Sequence, residues 1–152
     1  VNERKKNNIS NTYDLAELVR SAIPGKKFKI DKATKTFQAI RMYINQELNE
    51  LQLGLIAAEK ILSTGGILAV VSFHSKEDKI VKKFLQKCSG KSLFYRSKFF
   101  PQEKNTKKSF EIITKRPIRP SREEIQNNIK SRSAKLRVAR RTNETAIHET
   151  AA

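Results

Sequence analysis

The sequence has a single cysteine, Cys88, and no tryptophan. A lone thiol can neither close an internal disulfide nor supply a cysteine-rich zinc site, so no metal site is expected. Long hydrophobic runs are missing too, and with 38% apolar residues the chain offers no stretch of the length a spanning helix needs. The opening Val1-Asn2-Glu3-Arg4-Lys5-Lys6 has no apolar core behind it, so no secretory signal is expected and the expected compartment is the cytoplasm. Glycine is scarce, with five in all, and no Gly-x-Gly pattern opens a helix after a strand. Negative charge is in short supply as well: 15 acidic residues stand against 32 basic ones, leaving a net charge of +17. Such a chain binds polyanions, and RNA or DNA is the commonest partner of that kind.

What is present reads as one domain of mixed helix and strand. Leu15, Leu18, Val19, Ala22 and Ile23 recur at helical spacing until Pro24-Gly25. Lys26 to Lys32 reads as a basic loop. Phe37, Ile40, Ile44, Leu48, Leu51, Leu55, Ala58 and Leu62 step by threes and fours, which predicts one long amphipathic helix from about Thr34 to Gly65-Gly66. Ile67-Leu68-Ala69-Val70-Val71 then reads as a strand buried on both faces, the kind found inside a parallel sheet. Ser75 is the expected N-cap of the next helix, whose inner face is Ile80, Val81, Phe84 and Leu85. Leu93 to Phe100 is a strand or extended loop, Gln102 to Lys108 a polar loop, and Phe110 to Thr114 a strand. Ser121 opens a short helix, Ala134 to Ala139 is a last strand, and residues 142–152 are an expected disordered tail. One strand of parallel type does not make a parallel sheet, so the layout implies an incomplete domain or a different kind of strand.

Three stretches carry a resemblance. The first is Ala33-Thr34-Lys35-Thr36-Phe37-Gln38-Ala39-Ile40-Arg41, continuing to Asn45-Gln46-Glu47-Leu48. The second runs from Gly65-Gly66 through Ser72-Phe73-His74-Ser75-Lys76-Glu77-Asp78 to Lys82. The third joins Lys115-Arg116-Pro117, Pro120-Ser121-Arg122-Glu123-Glu124-Ile125 and Arg132-Ser133-Ala134-Lys135-Leu136-Arg137-Val138-Ala139. In order and spacing they resemble the bacterial 16S rRNA (cytosine-N4) methyltransferase family, over roughly residues 10 to 141. Departures are local: Asp31-Lys32 stand for the family's His-Pro, Lys35 for Arg and Lys76 for Leu. The segment from Leu93 to Lys108 also differs from the family's.

The resemblance implies an α/β chain: the C-terminal part of a class I, Rossmann-like methyltransferase sheet, preceded by the end of a helical insertion domain. Residues 1–30 would close the insertion, and 31–141 would form the C-terminal half of the methyltransferase domain. It implies methyl transfer from S-adenosyl-L-methionine to N4 of a decoding-centre cytidine, with 16S rRNA of the small ribosomal subunit as partner. The family's donor site precedes the stretch seen here. No donor-binding residue is therefore expected in this chain, and activity is expected only with the N-terminal half, whether joined to it or separately encoded as a partner.

Candidate RNA or substrate contacts are Ser72, His74 and Ser75, just past the buried strand where open α/β sheets bind ligands. The other reading of these residues is a strand-to-helix turn. Gln38 and Arg41 lie off the apolar stripe of the long helix, whereas Phe37 lies on it. The basic run Lys130, Arg132, Lys135, Arg137, Arg140 and Arg141 is either a phosphate clamp or a solvated face. His148 carries no assigned role, and Cys88 reads as a small buried apolar residue. No catalytic residue can be assigned. The rival function is a remnant of a split gene, kept as a basic rRNA- or ribosome-binding module.

Overall fold

The computed structural model describes residues 3, 5, 8–25, 31–90 and 107–148. The strand or loop expected at Leu93 to Phe100 lies outside these residues, as do most of the loop expected at Gln102 to Lys108 and residues 149–152. The chain divides into two compact units, Val1–Glu47 and Leu48–Ala152.

In the first unit, α1 (Thr12–Ala22) is capped by Asn11, whose side chain accepts from the Asp14 amide at 2.9 Å. It ends before Pro24, as the sequence implies. Arg20 bridges Glu17 and Asp31 at 2.6 and 2.7 Å, and Lys32 Nζ donates to the Ile23 carbonyl at 2.6 Å. These contacts tie the start of α2 (Thr34–Ile44) back to α1.

The single long helix expected from Thr34 is two helices. Gln46 has φ 51°, a left-handed conformation that ends α2 at Ile44, and α3 (Glu47–Ile61) starts afresh. Arg41 grips Glu47 across the break at 2.7 Å. The unit boundary falls at this break and not near residue 30.

The second unit is a three-stranded sheet in the order β1-β3-β2, where β1 is Ile67–Ser72, β2 Phe110–Ile112 and β3 Lys135–Arg141. Both pairings are antiparallel, with Ala69 opposite Val138 and Glu111 opposite Arg140. Thus β1 is not a doubly buried parallel strand. Leu68 and Val70 face the core, whereas Ile67 is 49% and Val71 54% exposed, and the edge away from β3 has no partner among the described residues. Antiparallel pairing needs only one covered face, which is what the alternation delivers.

On the covered face α3 and α4 (Ser75–Cys88) pack against the strands, joining Leu55, Val81, Phe84, Leu85 and Cys88 to Phe110 and Ala139. The short α5 (Arg122–Asn127) is capped by Ser121, and a 3-10 turn (Ile129–Ser133) leads into β3.

The disordered tail expected from Thr142 is not found over Thr142–His148. Thr142 N donates to Ser109 O at 3.0 Å, and Ile147 N to Glu59 Oε1 at 2.9 Å. No helix among the described residues is long and apolar enough to cross a membrane.

Candidate nucleic-acid interface

The turn after β1 shows how the sequence Ser72-Phe73-His74-Ser75 is used. Ser72 is buried, with its hydroxyl 3.5 Å from the Lys135 carbonyl. His74, and not Ser75, is the N-cap of α4. Its Nδ1 accepts from the Glu77 amide at 3.3 Å, and Glu77 returns a carboxylate to the amides of Phe73 and His74 at 2.8 and 3.2 Å. This reciprocal box takes up the amides of Phe73, His74 and Glu77 at the start of the helix. The remaining ring nitrogen, Nε2, lies 3.0 Å from Glu77 Oε1, close enough for an ion pair but without hydrogen-bond geometry. His74 therefore shapes the turn. Ser75 opens the helix, and Phe73 points outward, 56% exposed.

The expected cations divide into four groups. Arg137 is almost buried and lies along Asp78 of α4 at 2.7 and 3.3 Å; Lys135 reaches the same carboxylate at 3.6 Å. The Arg137 hydrogen bond, opposed by burial and reinforced by Lys135, holds Asp78 below its ordinary value. Arg141 is buried and donates to the carbonyls of Glu59, Ser109, Thr142 and Glu144, with its guanidinium 5.8 Å from the Phe110 ring. Arg140 lies 3.8 Å from Glu111. Lys130 and Arg132 remain exposed, with no acidic partner among the described residues. Arg137 and Arg141 are thus structural ties. Of the remaining candidates, Gln38 is half-buried on α2, and Arg41 on the same helix holds Glu47.

An open cavity of about 360 Å³ sits at the carboxyl end of β1, lined by Phe73, His74, Arg119, Arg132 and Lys135 among others. It brings His74, Ser75, Arg132 and Lys135 together, and adds Phe73 and Arg119, which the sequence reading did not single out as site residues. Arg119 is placed by a two-way backbone bridge at 2.9 Å between Ile118 and Leu136. The prolines on either side of Ile118-Arg119 keep that segment extended, and they were the available signal.

A second cluster was also missed. Glu59 of α3 is fully buried and accepts from the Ser109 hydroxyl, the Ile147 amide, His148 Nδ1 at 2.7 Å and the Cys88 thiol at 3.6 Å. Burial alone would raise its pKa, but the Ser109, Ile147 and His148 contacts together hold it below the ordinary value. Burial, with Glu59 beside it, pushes the Cys88 thiol up to about 12. Glu, Cys and His at this spacing could in principle hold a metal ion. Both carboxylate oxygens are engaged by protein donors and the thiol stays protonated, so the group acts as a clasp for the C-terminal segment.

Fold and cavity together define a mixed α/β polypeptide with a small antiparallel sheet and a cation-lined cavity at a strand end. The model of the MraW methylase family matches residues 1–142, and the chain belongs to that family. Ribosomal RNA small subunit methyltransferase H of Nitrobacter winogradskyi is 45% identical over 98% of this chain and 44% of its own length. The protein of that name from Rickettsia typhi is 50% identical over 91% of this chain and 45% of its own length. The chain therefore spans less than half the length of the curated relatives it matches.

Proposed function

We propose that this chain is the C-terminal portion of an S-adenosylmethionine-dependent enzyme that methylates N4 of a decoding-centre cytidine in 16S rRNA, in the cytoplasm. The carrying observation is identity of 45–50% across nearly the whole chain to relatives named as rRNA methyltransferases.

In this reading the donor cradle lies outside this portion. Gly65-Gly66 lie before β1, and a Cβ on Gly66 would come within 2.8 Å of the Ser63 carbonyl, so the tight turn accounts for that glycine. The donor site belongs to the remainder of the enzyme, and so do the acceptors that would hold the exocyclic amine in line with the methyl group. This portion supplies the RNA-facing cations and the lip of the cavity. The remainder also covers the outward face of β1, where Ile67 and Val71 would otherwise meet water.

The test is a calorimetric titration with S-adenosylmethionine, first on this chain and then on its mixture with the N-terminal portion of the Rickettsia typhi relative. The expected result is no heat from the chain alone, then donor binding and labelled methyl transfer to 16S rRNA on mixing. Donor binding by the chain alone would overturn the division of labour. Salt-sensitive RNA binding with no transfer on mixing would favour the rival reading, a basic rRNA-binding module.

A further inference from the structure

The cavity at the end of β1 pairs an exposed aromatic ring with cations that no acid claims. Phe73 stays out of the core and lines the cavity at 56% exposure. Its backbone is fixed, because its amide is held by Glu77 and the turn is locked by the His74–Glu77 box. The ring is therefore presented on a rigid support with little ordering entropy left to lose. Opposite it stand Arg119 and Arg132, each without an acidic partner among the described residues. Lys135 lies 3.6 Å from Asp78, and Glu77 takes the Phe73 and His74 amides, so the two arginines are the lining cations left for a negative charge that enters the cavity. At about 360 Å³ the space falls within the range of small-molecule sites.

We propose that this cavity is a subsite for one unpaired ribonucleotide, with the base stacked on Phe73 and the flanking phosphates held by Arg119 and Arg132. The assignment rests on the reading above that this chain faces RNA. It adds a strand requirement that charge alone does not impose. A base inside a duplex is already stacked on both faces and cannot cover the ring, whereas a looped-out or single-stranded base can. The subsite is tolerant of base identity, because every base has a π face and neither arginine is committed to a base edge.

Fluorescence anisotropy with a short labelled single-stranded oligoribonucleotide, at low protein concentration and without donor, tests this directly. Phe73→Ala should weaken binding about tenfold, the loss of one stacked base. Phe73→Trp should restore it. Replacing both arginines, Arg119→Gln with Arg132→Gln, should lower the slope of log affinity against log salt by about 1.4. A blunt duplex of the same sequence should bind Phe73→Ala and the parent chain equally. Unchanged single-strand binding by Phe73→Ala, failure of Phe73→Trp to restore it, or an equal loss on the duplex overturns the stacking subsite. Because no methyl transfer is read, the two conclusions separate. Phe73-dependent binding without transfer on mixing leaves the subsite standing and removes the methyltransferase reading. Transfer with Phe73-independent binding does the reverse.

Discussion

Glu59 and His148 hold one another across almost the whole second unit, and the energetics of that contact are unusual for a carboxylate with no solvent exposure. Removing the acceptor strands the Ser109 hydroxyl, the Ile147 amide and the His148 ring in a dry site, so Glu59→Ala should cost about 2–4 kcal/mol. Hydrogen exchange at the Ile147 and His148 amides reads the loss locally, and both should lose protection. The pH response has a definite sign. A carboxyl held below its ordinary 4.5 stabilises the fold fully above that pH and loses its contribution as pH falls through the lowered value. Protection of Ile147, corrected for intrinsic exchange, should therefore be flat above about pH 5 and collapse only on further acidification. None of this was legible beforehand. Glu59 is the sole acid between Glu50 and Glu77, and it stands four after Leu55 and three before Leu62 on the apolar side of α3, but spacing alone does not name the donors that it accepts from. His148 lies beyond the last apolar pattern, and its partner is 89 positions away.

At the scale of elements, α4 and β3 are coupled through Asp78, which takes both Arg137 and Lys135. Asp78→Asn should cost roughly 3 kcal/mol by leaving Arg137 buried without a counter-charge. It should also release Lys135, so RNA affinity becomes more steeply salt-dependent, measured as the slope against log salt. The positions of the elements were largely readable: α1, α4, the cap at Ser121 and all three strands lie within a few residues of where periodicity puts them. Two features were not. The apolar stripe passes from Ile44 to Leu48 with a spacing of four and gives no sign of a break, because Gln46 adopts a glycine-like conformation without being glycine. The direction of β1 was also hidden. A run of five apolar residues looks doubly buried, whereas here one face packs on α3 and α4 and the other awaits cover.

At the scale of the whole molecule, that uncovered face and the strand edge without a partner among the described residues govern behaviour in solution. An apolar edge strand with Ile67 and Val71 exposed is a template for pairing with other chains. The chain alone should self-associate at high micromolar concentration, seen by light scattering coupled to size-exclusion chromatography; monodisperse, cooperatively unfolding protein would sink this. Val71→Lys places a charge on the outward face. It should reduce self-association and, by the same contact, reduce complementation by the N-terminal portion of a relative. A loss of one without the other would show that different surfaces serve the two. The family was legible in the order of three motifs; the cavity was not, since Phe73, Arg119 and Arg132 converge only through the Ile118–Leu136 bridge.

The strand order carries a further consequence, for synthesis. The central strand, β3, is the last to be made, and β1 and β2 each touch it but not one another. Until β3 has emerged from the ribosome this three-stranded sheet cannot close, and β1 and β2 wait beside helices that are already made. A nascent chain that pauses anywhere between Ile112 and Lys135 presents β1 without its β3 partner, so the time spent translating those residues is an interval of exposure to chaperones and to its own neighbours on the polysome.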